Sequence, residues 1–246
     1  MSAGPRWPWQ RRIARRRVRA ALPEPVLARL ERLRRRELGF ISGRRLRATP
    51  LALARFVAVD LETTGPRMDR DRVIAIGAVA VAERALAHAD AFAAVLRQSA
   101  SSSVDNILVH QIGGQQQLAG VDPAAALLEF LEFRGAAVAI AFRAEFDAEV
   151  LGREVELQLG IRVPRRFLDL AVLLPALYPG TQNDTLEDWL RHFALVPIGR
   201  HDALADAYTS AQLLLIVLDA AQRMGARTTG DLVELEGAQR WLGRRR

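Results

Sequence analysis

Between residues 56 and 96 the chain carries three apolar, β-rich runs, Phe56–Val59, Val73–Val81 and Ala91–Leu96, joined by links too short for a crossover helix. Short links make neighbouring strands antiparallel, so this stretch predicts a three-strand meander. The turn Thr63-Thr64-Gly65-Pro66 breaks the first run, and a charged loop with Arg67, Asp69, Arg70 and Asp71 leads into the second. From Pro123 onwards the pattern alternates. A helix runs from Pro123 to about Phe133, then comes the apolar strand Ala136–Phe142 and a helix from Phe146 that Gly160 ends. A short strand near Phe167–Leu168 precedes a helix stopped around Pro175–Pro179, and helical patterns recur around Leu186–Phe193 and over Ala203–Met224. A meander followed by βαβα alternation predicts an α/β fold, a mixed five-stranded sheet with helices on both faces.

The 246 residues include no cysteine, and all 35 basic residues are arginine. Disulfides, thiolate metal sites, cysteine nucleophiles, P-loop or Schiff-base lysines and Ser–Lys dyads are therefore excluded. The formal net charge of +7 is unevenly spread: residues 1–50 hold 15 arginines against three acids, residues 51–246 hold 20 against 25. The chain reads as a basic arm (1–50), a body (51–225) and a C-terminal basic tail (226–246). Within the arm, Arg11–Arg19 reads as a solvated run, whereas Val26, Leu30 and Leu33 recur at helical spacing and predict a short amphipathic helix. No continuous apolar run reaches the roughly 18 residues of a membrane span, and the start lacks a secretory apolar core. No membrane partner and a cytoplasmic setting are expected.

Three acidic islands stand out on this scaffold. Asp60 and Glu62, two residues apart at the end of the first strand, share one side of the chain. Asp147 opens the helix after the fourth strand, and His201 and Asp206 bracket the start of the last long helix. In an open α/β sheet, strand ends and helix starts converge on one rim. Four carboxylates there repel one another unless positive charge sits between them. Magnesium or manganese suits such oxygen ligands in a chain without cysteine. Two such ions about 3.5–4 Å apart suit in-line displacement at a phosphodiester, with His201 as general base.

The islands VDLETTG, AFRAEFDAEVL and HDALADA resemble the three motifs of the DEDDh-type 3′–5′ exonuclease family, the group that includes the proofreading epsilon subunit of bacterial DNA polymerase III. The resemblance covers about residues 55–222, in the family's order. It implies a ribonuclease-H-like fold, metal-binding acids at Asp60, Glu62, Asp147 and Asp206, two Mg2+ or Mn2+ ions, and His201 as the base. It further implies release of nucleoside 5′-monophosphates from single-stranded or frayed 3′ ends of DNA or RNA. A polymerase or another replication or repair protein is the implied partner, and the backbone around Thr63, Thr64 and Gly65 is the implied cradle of the terminal nucleotide. There are two departures. Phe142-Arg143 stand where members often carry a polar pair such as His-Asn, which leaves Arg143 to meet a phosphate or Glu145. Ile74-Ala75-Ile76-Gly77 stands where members often read I-I-E-I-G. The alternative function is a catalytically vestigial nucleic-acid-binding or polymerase-associated module; hydrolysis of small phosphodiesters is a third.

Other features take ordinary readings. His88, His110 and His192 lack an acid at motif spacing and read as surface or core histidines; Asp169 reads as a helix cap and Asp202 as solvent-facing. The arm is expected to attract nucleic acid, its arginines meeting phosphates and Trp7 and Trp9 stacking on bases. Removing residues 1–50 is then expected to weaken binding in a salt-dependent way and to leave turnover at saturation intact.

Overall fold

Strands β1 (Arg55–Thr63), β2 (Val73–Ala82), β3 (Ala85–Val95), β4 (Val138–Ala141) and β5 (Phe167–Asp169) form one sheet of order β3-β2-β1-β4-β5. The first three pair antiparallel, and β1–β4 and β4–β5 pair parallel, as the sequence pattern requires. The structure, a computed structural model, describes residues 8–36, 47–163, 167–199 and 201–243. Trp7 and the side chains of Trp9 and His88 lie outside the described residues. Strand β3 begins earlier than its apolar run. It follows a two-residue turn, Glu83-Arg84, with both φ angles positive (51° and 60°). A tight hairpin needs that backbone to match strand twist, and it usually takes Asn or Gly there. With neither residue present, the turn left no sequence signal.

Alternation along β1 sends Phe56 and Ala58 to one core and Val57, Val59 and Leu61 to the other. The first core is closed by α7 (Leu170–Leu177), α8 (Leu186–His192), α9 (Ala203–Arg223) and α10 (Thr229–Gly243). By length and composition α9 is apolar enough to cross a membrane. Here it lies across β1 and β2 and buries Ala207, Ala211, Leu214 and Leu218. Within the stretch read as a basic tail, α10 anchors itself through buried Leu232 and Glu236, and Thr228 bridges back to Pro50.

The second core is closed by α5 (Pro123–Arg134), α6 (Glu145–Leu159) and a helix of the arm, α2 (Glu24–Arg36), while a further arm helix, α1 (Pro8–Ala20), packs outside on α6. Leu30 is fully buried and Leu33 nearly so, each worth roughly 2 kcal/mol. The Arg11–Arg19 run keeps Arg11, Arg12, Arg16 and Arg17 exposed as expected, but it is helical, part of α1, which packs along α6. Arg15 pairs with Glu156 at 2.7 Å, and Arg19 donates to the Gly160 carbonyl at 3.0 Å, at the negative end of α6. Deleting residues 1–50 would thus strip side chains from the core, and it no longer isolates a binding contribution.

Two short helices lie between β3 and α5: α3 (Val104–His110) and α4 (Gly114–Leu118). Ser103 caps α3. The fully buried Gln117 joins the two, donating to Ser102 Oγ and to the Ile112 carbonyl, each at 2.9 Å. Neither helix is long enough for a periodic apolar pattern, so their presence was not readable.

Candidate active site

The first island forms where β1 outruns its pairing with β4. That pairing ends at Ala58↔Ile140, so Asp60 and Glu62 extend beyond it while still paired with β2, Asp60 opposite Gly77. Helix α9 crosses β2 at that glycine: a Cβ on Gly77 would lie 2.1 Å from the backbone carbonyl of Ala203, the first residue of α9. This approach delivers Asp206, in the first turn of α9, to the strand. Asp60, Glu62 and Asp206 each offer a carboxylate oxygen within 4.8 Å of the others. Such a trio fits a hard divalent cation. Asp202 caps α9 through the Ala205 N–H (2.9 Å) and is exposed. The Asp206 carboxylate accepts the His201 backbone N–H at 3.0 Å, while His201 itself sits at a left-handed φ of 57°.

Asp147 lies outside that trio. It is buried in the first turn of α6, where the Leu61 backbone N–H and its own support the carboxylate. Burial holds its pKa above the ordinary carboxylate range, and Asp169 adds to the rise. Asp60 is also held well above that range, by burial first and by Asp147 next. Glu62 is pushed up to about 8 by burial, with Asp206, Asp202 and Asp147 contributing. Desolvation and mutual repulsion act in the same direction on all three, and a bound cation would relieve both.

Sequence reasoning missed the residues that α3 contributes. His110 was read as an ordinary histidine, yet its Nδ1 meets the Glu62 carboxylate. Its ring lies 6.5 Å from that of His201. Burial first, and then His201, lower its pKa. Asn106 donates to the Thr63 carbonyl at 2.8 Å. Both depend on the fold of a short segment without periodic pattern, whose apolar Val104, Leu108 and Val109 stay exposed. His110 and His201 line a cleft of about 390 Å³ with Ile76, Val95 and Leu204. His192, by contrast, packs among Tyr178, Trp189 and Phe193.

The loop after β1 is held stiffly. Thr64 Oγ1 accepts the Arg72 N–H at 2.9 Å, and Asp71 accepts the Arg67 N–H at 2.7 Å. A Cβ on Gly65 would lie 2.6 Å from Asp71 Oδ2 and displace the carboxylate that accepts the Arg67 N–H. Arg72 forks onto the buried Glu154 of α6 at 2.6 and 2.8 Å, and Arg153 donates to the Asp71 carbonyl. On the opposite side, Asp169 caps α7 as expected (Ala171 N–H, 2.9 Å) and also accepts the Arg143 N–H at 2.9 Å. The Arg143 guanidinium donates to the Asp184 carbonyl at 3.2 Å.

The RNase_T family model, described as Exonuclease, matches residues 57–214. The DNA polymerase III PolC-type of Caldanaerobacter subterraneus subsp. tengcongensis is 26% identical over 179 residues, covering 72% of this chain and 12% of that relative. That of Thermotoga petrophila is 26% identical over 188 residues, with 74% and 13% covered. The chain thus spans a small fraction of the length of these curated relatives. Among solved structures, E. coli exonuclease I in complex with a dT13 oligonucleotide matches with TM-score 0.58 at 17% identity, over 70% of this chain and 42% of that one. Exonuclease X in complex with 5′ overhanging duplex DNA matches with TM-score 0.57 at 20% identity, over 75% and 99%. Both likenesses are of the fold, which is ribonuclease-H-like.

Proposed function

Since this chain belongs to the RNase_T exonuclease family, we propose that it is a metal-dependent 3′–5′ exonuclease releasing nucleoside 5′-monophosphates from single-stranded or frayed DNA or RNA ends. The observation that carries this reading is the convergence of Asp60, Glu62 and Asp206 oxygens within 4.8 Å, beside a cleft lined by two histidines. These acids, with Asp147 beside Asp60, would hold two Mg2+ or Mn2+ ions. Such ions, when bound, supply the positive charge that activates water and offsets charge at phosphorus. Asp60 and Glu62 project from a strand with little freedom, and Asp206 is held through the His201 N–H, so the ligand geometry is preorganised. His201, exposed at the start of α9, accepts the proton of the attacking water. The stiff Thr63–Gly65 backbone cradles the terminal nucleotide. Arg143, held on the Asp184 carbonyl, is the candidate for a phosphate contact. Association with a DNA polymerase is the partner reading that the names of the polymerase III relatives support, and a cytoplasmic setting is proposed with it.

The test uses 5′-labelled DNA and RNA oligomers with magnesium and with chelator. A ladder shortening one nucleotide at a time from the 3′ end, lost with chelator and in Asp60→Ala and Asp206→Ala, is the expected result. Absence of metal-dependent cleavage on both polymers overturns the reading and leaves a binding module.

A further inference from the structure

The arm is a folded part of the molecule, and its orientation is specific. Arg15 pairs with Glu156 and Arg19 with the Gly160 carbonyl, so α1 and α6 advance in the same direction. The N-terminal end of α1 therefore lies toward the end of α6 that carries Asp147. A groove of about 820 Å³ between the two helices reaches Met68 and Asp69, in the loop that follows β1. Glu156, on the groove wall, is already neutralised by Arg15 and Arg162.

On the outer surface, Arg12, Arg16 and Arg17 of α1 and Arg32, Arg34 and Arg35 of α2 are exposed. The two helices crowd their cations: Arg19 has its pKa lowered by burial first, then by Arg34, Arg15 and Arg16. Like charges held this close create a positive potential that attracts a polyanion. Helix α1 alone is about 20 Å long, the reach of several phosphates. We propose that α1 and α2 form a fixed basic stripe that binds the phosphates of the nucleic-acid strand leading away from the end held at the acidic cluster. The proposal rests on the exonuclease reading for its direction, and on the stripe itself for its chemistry.

Binding of the full chain to a labelled single strand of roughly 20 nucleotides is measured by fluorescence anisotropy in chelator, between about 50 and 200 mM salt. Arg12→Gln/Arg16→Gln/Arg17→Gln is expected to reduce the log–log salt slope by about 2, at roughly 0.7 per lost phosphate contact. With magnesium, the triple variant should lose about tenfold or more in kcat/KM on the long strand and keep wild-type turnover of a dinucleotide. An unchanged slope overturns the stripe, as does equal loss on the dinucleotide. Loss of binding to vesicles of anionic lipid with an unchanged nucleic-acid slope also overturns it. A reduced slope in a chain that hydrolyses neither substrate leaves the stripe standing and removes the exonuclease reading alone.

Discussion

Gly77→Ala tests the geometry of the site without touching a carboxylate. The added Cβ would meet the Ala203 carbonyl carbon and oxygen at 2.1 Å and the Leu204 nitrogen at 2.3 Å. All three are backbone atoms at the start of α9, so no side chain can turn aside. The helix start must retreat by about 1 Å or more, and overpacking of this kind costs about 1–3 kcal/mol. Asp206 lies in that same first turn, bonded to the His201 N–H. Its retreat opens a trio whose oxygens now lie within 4.8 Å of one another. A misplacement of about 1 Å at a catalytic centre costs about 100-fold in rate. The assay is release of nucleotide from a labelled oligomer across a magnesium titration, with a thermal melt to show that the variant is folded. Slower turnover with a raised half-saturating magnesium concentration is expected. Activity within about twofold of wild type, with an unshifted titration, refutes the role given to this helix–strand contact.

Three further outcomes follow from the same structure. Glu62 is raised from 4.5 to about 8, so between those values the folded chain binds protons more tightly than the unfolded one; without cation, stability therefore falls as pH rises through that window. Magnesium should restore Tm more at about pH 8 than at about pH 6, and a cation-free Tm that rises across the window sinks the argument. Arg72→Leu leaves the Glu154 carboxylate (1% exposed) with only the Gln158 amide as partner and should cost about 2–3 kcal/mol in denaturant unfolding, discounted because Arg72 is half-exposed; adding Glu154→Leu should recover most of it, and no recovery would show that the cost does not come from a stranded buried charge. Leu30→Ala in α2 should destabilise the whole chain by about 3 kcal/mol in one transition, whereas an unaffected or separate transition would mean that the arm folds independently.

The order of the five strands, the helices from Pro123 to Arg223 and the three acidic islands were legible because each rests on local chemistry. The meander follows from short links, the α/β alternation from periodicity, and Asp60, Glu62, Asp147, His201 and Asp206 from strand ends and helix starts. The Asp169 cap was readable for the same reason. What was not legible depends on partners distant in sequence. His110 matters only because α3 folds back over Glu62, and Asn106 because it reaches Thr63 across 43 residues. Gly77 was visible as a small residue in a strand, but its purpose, room for the α9 backbone, belongs to a helix more than a hundred residues later. Composition separated a basic arm from an acidic body. Helical spacing of Val26, Leu30 and Leu33 already predicted α2; tertiary structure alone decided that Arg11–Arg19 is helical and that Arg15 and Arg19 lie along α6. Charge and periodicity are properties of a segment, whereas burial and direction are set only when segments pack.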